Sequence, residues 1–105
     1  MKLKGKCALI TGASRGIGRG IAEVFGDEGA NVAVNYVTNR TSAEEVAGGI
    51  RAKGRRAMTV KADVAARADV EPVIEQVWNE LGPIDILVNN AGIETIVPFL
   101  QLTDE

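Results

Sequence analysis

The chain has 105 residues, 46% of them hydrophobic and 25% charged, which is the balance of a single globular domain and too apolar for a disordered segment. Its net charge of −2 comes from 12 basic and 14 acidic residues mixed along the sequence, so no basic block can bind a row of nucleic-acid phosphates. With no histidine and one cysteine, Cys7, it lacks the usual transition-metal ligands, a His-based hydrolytic triad and an internal disulfide.

Lys2, Lys4 and Lys6 look like the basic start of a signal peptide, but the apolar stretch after them is only Cys7 to Ile10. No apolar run is long enough to cross a bilayer. A cytoplasmic protein without membrane or nucleic-acid partners is expected, with Cys7 as a small buried residue.

Short apolar runs alternate with longer stretches of helical spacing, the signature of βαβ units and a parallel sheet. The first strand is Cys7 to Ile10, followed by the glycine-rich turn Thr11 to Gly18. Ile17, Ile21, Val24 and Phe25 then predict the inner face of a helix that stops near Gly29. Valine-rich Asn31 to Tyr36 is the second strand. The second helix runs from about Thr41 to Lys53 with Val46, Ala47 and Ile50 inward, and Gly48 and Gly49 each weaken it by roughly 1 kcal/mol relative to alanine.

Arg56 to Val60 reads as the third strand, leading into Lys61, Ala62, Asp63 and Val64. Val70, Val73, Ile74, Val77, Trp78 and Leu81 then predict the apolar face of a third helix, with Pro72 in its first turn and Gly82-Pro83 at its end. Ile84 to Val88 is the fourth strand, nearly continuous in Ile, Leu and Val as a strand covered on both faces should be. Leu102 to Glu105 reads as a helix start capped by Thr103, so the expectation is a chain cut within a larger fold.

The turn Thr11-Gly12-Ala13-Ser14-Arg15-Gly16-Ile17-Gly18 carries the first functional signal. A diphosphate needs backbone N–H groups, the positive end of a helix and close approach of the chain, all of which a glycine-rich strand-to-helix turn offers. Gly12 would permit the tight turn, Gly16 the approach, and Gly18 the packing of the helix on the sheet. The lysine of a P-loop is absent after Gly16. Glycines also serve turns and packing alone, which stays open as the structural reading of this segment.

An acid about twenty residues further on would hold the ribose 2′-OH of NAD, but the second strand ends in Asn35-Tyr36. Arg15, Thr38, Asn39 and Arg40 make this end basic and rich in donors, which suits a 2′-phosphate and favours NADP(H) over NAD(H). The alternative is that Arg15 and Arg40 are solvated surface charges.

Thr11 to Gly18 resembles the TGxxxGxG motif of the short-chain dehydrogenases/reductases, Asn89-Asn90-Ala91-Gly92 their NNAG motif, and Asp63-Val64 their adenine-contacting pair. The three matches come in the right order at the ends of the right strands and cover essentially the whole chain. The nearest branch is that of β-ketoacyl carrier-protein reductases and sugar dehydrogenases. The resemblance implies an α/β Rossmann-type sheet with helices on both faces, strand order 3-2-1-4 and incomplete, so that residues 1–105 are a partial dinucleotide-binding domain.

It further implies that Gly12, Ser14, Arg15, Gly16, Ile17 and Gly18 line the diphosphate and adenosine ribose. Asn35 and Tyr36 would flank the 2′ position, Asp63 and Val64 the adenine, and Asn90, Ala91 and Gly92 the nicotinamide-side ribose, with Asn89 structural. Members transfer a hydride between the nicotinamide and a small carbonyl or alcohol substrate, using a Ser, a Tyr and a Lys that follow the fourth strand and have no counterpart here. Tyr36 ends the second strand near the adenosine, too far from the nicotinamide to act as the acid.

The fifth strand of the family pattern is missing as well, so an apolar edge is expected on the fourth strand, with association or disorder there and a homo-oligomer as the assembled form. Three functions stay open: a carbonyl reductase seen as its cofactor-binding half, a noncatalytic NADP(H)-binding module, and a structural fragment.

Overall fold

The computed structural model describes residues 2–13, 16–63 and 70–89, together with the backbone of residues 95–98. Within them the elements are β1 (Cys7–Thr11), α1 (Gly16–Asp27), β2 (Asn31–Tyr36), α2 (Arg40–Ala52), β3 (Ala57–Lys61), α3 (Val70–Leu81), β4 (Ile86–Asn89) and β5 (Thr95–Pro98). β1 to β4 form a parallel sheet in the order 3-2-1-4, and β5 adds to it antiparallel. This is the Rossmann-type arrangement expected from the sequence.

Alternation along the strands divides the core in two. Ala8, Ile10, Val32, Val34 and Val88 face α1 and α2, where Val46, Ala47 and Ile50 meet them. Cys7, Leu9, Ala33, Met58 and Val60 face Val73 and Val77 of α3. Each fully buried Val or Ile contributes about 1.5–3 kcal/mol through loss of apolar surface from water, so α2 and α3 are held mainly by these stripes.

α1 is held differently. Its buried residues are Gly18, Ala22 and Gly26, one per turn, with Ile21 and Phe25 partly buried beside them. Ile17 and Val24, expected on the inner face, are 61% and 56% exposed. The helix buries its smallest residues because it lies close to its neighbours: a Cβ on Gly26 would stand 3.2 Å from Ile50 Cγ1. Trp78 is a second correction, since α3 leaves it 46% exposed while Val73 and Val77 turn inward as expected.

α1 ends in a Schellman turn, with the Gly29 amide donating to the Gly26 carbonyl and the Ala30 amide to that of Phe25. Gly29 has φ +99°, and a Cβ there would lie 2.8 Å from Lys4 Cα, so glycine is required both by conformation and by space.

The largest difference from expectation is at β4. It runs Ile86–Asn89 rather than Ile84 to Val88, because Asp85 is drawn into a loop clamp. Its carboxylate accepts from the Cys7 amide at 2.9 Å, and its own amide donates to the Cys7 carbonyl at 2.8 Å. The outer edge of β4, expected bare, is paired with β5 from Ile86↔Pro98 to Asn89↔Thr95. Pro98, which has no N–H to give a ladder, sits at the end of this edge strand. The capping signal at Leu102 to Glu105 lies outside the described residues.

Candidate dinucleotide site

In an open α/β sheet a ligand belongs beyond the carboxyl ends of the strands, where the strand order reverses. Here that point lies between β1 and β4, and the β1–α1 turn stands over it. Gly12 and Gly16 have φ of +62° and +63°, the left-handed backbone that reverses the chain between strand and helix. Nothing lies within 4 Å of where a Gly16 Cβ would be, so the ground over this residue is open to an approaching group.

α1 carries no acid in its first turn. The positive end of its dipole is therefore not offset by a carboxylate of its own first turn, and the first-turn amides of a helix have no intrahelical acceptor. Gly16 and Ile17 are exposed at this end, while Gly18 is buried and brings the helix onto the sheet. A diphosphate fits this cradle. Ser14 and Arg15, expected to line it, lie outside the described residues.

The β1 and β4 ends are joined by Thr11, whose hydroxyl lies 3.3 Å from both the Val88 carbonyl and Asn89 Oδ1. On the α3 side Leu9, Thr11, Val70, Val73, Ile74, Leu87 and Asn89 line a largely apolar cavity of about 210 Å³. Asn90, Ala91 and Gly92, the expected nicotinamide-side residues, lie outside the described residues, as does Val64. Asp63 is exposed just past the end of β3, on the same rim as the glycine turn.

At the end of β2 the two expected residues keep their side chains inside the fold. Asn35 and Tyr36 were expected to flank the 2′ position, but Asn35 is fully buried and Tyr36 only 7% exposed within the α1/α2 core. Both side chains turn inward because β2 is the strand between β1 and β3 and is covered on both faces. The exposed residues at this end are Val37, Thr38, Asn39 and Arg40. The Asn39 carboxamide caps α2 by accepting from the Ser42 amide at 3.0 Å, and Thr38 and Arg40 are the other exposed polar side chains of this corner.

The buried thiol of Cys7, at the opposite end of β1, is pushed up to about 11, mainly by burial and then by the carboxylate of Asp85, against a smaller opposing effect of Arg56. Among the described residues no cluster of metal-ligating side chains occurs and no helix is long and apolar enough to cross a membrane.

The sequence pattern of the short chain dehydrogenases matches residues 6–105. The chain belongs to the short-chain dehydrogenase/reductase family. It is 50% identical over 88 residues to the 3-oxoacyl-[acyl-carrier-protein] reductase FabG of Staphylococcus epidermidis, covering 84% of this chain and 36% of that protein. Identity to the hydroxynaphthalene reductase arp2 of Aspergillus fumigatus is 42% over 105 residues, which is all of this chain and 38% of that one.

Among solved structures, a short-chain dehydrogenase from Burkholderia cenocepacia in complex with NADP superposes with a TM-score of 0.84 at 46% identity, over 89% of this chain and 38% of that one. A blue fluorescent protein from a metagenomic library, in complex with NADPH, superposes with a TM-score of 0.83 at 44% identity, over 89% and 38% of the two chains. The chain therefore spans well under half the length of the relatives it matches, and what it shares with them is the first part of an oxidoreductase fold.

Proposed function

We propose that this chain is the cofactor-binding part of an NADP(H)-dependent short-chain oxidoreductase that interconverts a small carbonyl compound and an alcohol. The observation that carries the reading is the β1–α1 turn: two glycines of positive φ, open ground over Gly16, and a helix start without an acid, set where the strand order reverses. Relatives of this fold are seen with NADP and NADPH bound, which supports the same cofactor type here.

The amides at the start of α1 would hold the diphosphate, and Asp63 would lie beside the adenine. Thr38 and Arg40, together with Arg15, would receive the 2′-phosphate at a corner that offers no carboxylate at the end of β2. A nicotinamide held there would supply hydride chemistry. This chain's residues bind and orient, and the Ser, Tyr and Lys of the family pattern have no counterpart among its 105 residues.

Titration with NADPH and NADH, followed by nicotinamide fluorescence, tests the reading. NADPH should bind at least about tenfold more tightly than NADH, and Arg40→Ala should remove most of that preference, as expected for loss of one charge-assisted contact. Equal affinity for the two would overturn the NADP(H) assignment. Binding of NADPH with no reduction of any carbonyl by the protein would make it a noncatalytic binding module.

A further inference from the structure

Asn35 is a buried polar residue in an otherwise apolar strand, with no surface exposed to solvent. A carboxamide is costly to bury unless its polar atoms find partners. Here they do: the Gly12 amide donates to Asn35 Oδ1 at 3.2 Å, and Asn35 Nδ2 donates to the Val60 and Ala62 carbonyls, each at 3.2 Å. The backbone joins in, with the Ala13 amide donating to the Asn35 carbonyl at 3.0 Å. One residue therefore touches the glycine turn twice and the end of β3 twice.

Those two segments bound the site on different sides. Gly12 and Ala13 open the turn that would face the diphosphate, and Ala62 immediately precedes Asp63 on the adenine side. The exit of β3 is held from below as well, since the Ala62 amide donates to the Tyr36 carbonyl at 3.0 Å. We infer that Asn35 is a positioning residue that locks the glycine turn and the end of β3 at the separation a dinucleotide requires. The inference rests on the dinucleotide reading above.

The chemistry explains the choice of residue. An acceptor and two donors must sit in one rigid plane, which a carboxamide provides. Aspartate of the same shape could accept from Gly12 but would set a carboxylate oxygen against the Val60 and Ala62 carbonyls. Leucine would leave the Gly12 amide and both carbonyls without their partner.

Asn35→Ala and Asn35→Asp test this, each also made with Gly48→Ala and Gly49→Ala, two exposed helix positions where an added methyl meets nothing within 4 Å and stability should rise. Three quantities are measured: affinity for NADPH, affinity for adenosine 2′-phosphate, and amide hydrogen exchange at Gly12 and Ala62. NADPH spans both segments, whereas the mononucleotide engages only the β2–β3 side. NADPH affinity should fall at least about tenfold and mononucleotide affinity by less than about threefold, with faster exchange at both amides, in the stabilised background too.

Parallel losses for both ligands, or NADPH affinity that returns once the denaturation midpoint is restored, would reduce Asn35 to a purely structural residue and overturn the inference. Unchanged exchange at Gly12 and Ala62 would overturn it without reference to any ligand. A wild-type protein that binds no NADPH would instead remove the dinucleotide reading, and this inference with it.

Discussion

α1 and α3 are both 12-residue helices on the same sheet, yet they bury opposite kinds of side chain. α1 turns Gly18, Ala22 and Gly26 inward and lies tight against α2, so an added Cβ at Gly26 would require Ile50 to shift. α3 turns Val73 and Val77 inward and stands over a cavity of about 210 Å³ at its amino end. The difference shows where the fold is rigid by construction. The helix that presents its amino end to the candidate diphosphate site is the one with no slack, while the layer beside the β1 and β4 ends keeps room.

The strongest way to break the closed layer is to empty it. Ile50→Ala, at a fully buried α2 side chain beside Gly26 of α1, should lower stability by about 3–4 kcal/mol in urea denaturation. Next in size is Gly29→Ala. The methyl would be forced into a left-handed residue and against Lys4, and a loss of about 2–3 kcal/mol is expected on the same assay.

A matched pair of additions then compares the two layers directly. Gly26→Ala puts one carbon 3.2 Å from Ile50 and should cost about 1–2 kcal/mol, whereas Val70→Ile puts one carbon at the rim of the α3 cavity and should change stability by less than about 0.5 kcal/mol. Equal losses would mean that the α3 layer is as tightly packed as the other.

The smallest effect at neutral pH concerns Cys7, on the α3 side. Folding raises its thiol from an ordinary 9.0 to about 11, so the neutral form is favoured by the native state. Its contribution is complete below pH 9 and should be lost as pH rises towards 11, while Cys7→Ala shows no such term. Denaturation midpoints of the two proteins at pH 8, 9 and 10 should therefore converge or cross only above pH 9. A thiol that reacts with an alkylating reagent in the native protein as fast as in urea would contradict its burial.

The parallel sheet was legible because the strands are short apolar runs between helical spacings, while its order came with the family resemblance: β2 falls on Asn31–Tyr36 as read, and α3 on its apolar spacing from Val70 to Leu81. The inner face of α1 was not. Periodicity looks for large apolar residues, and a helix that packs closely buries glycine and alanine while Ile17 and Val24 stay outside. β5 was missed because four residues ending in proline give no alternation to count.

The glycine turn was read from its place between the first strand and helix together with the family motif, and Gly12 and Gly16 have the positive φ of a tight turn. Asn35 comes to the ligand through the family resemblance, whereas its burial under the turn depends on β3, a partner 25 residues away that no local pattern reveals.

The pairing of β1 has a consequence for how the chain comes into being. One edge of this central strand is satisfied by β2 about two dozen residues later, but the other waits for β4, with Thr11 set against Asn89 across a separation of 78 residues. A ribosome must therefore release the chain as far as Asn89 before the strand that carries the glycine turn is paired on both sides. Until then the nascent protein holds an open edge at its own centre, and a chaperone that shields extended apolar strands would have its best purchase there.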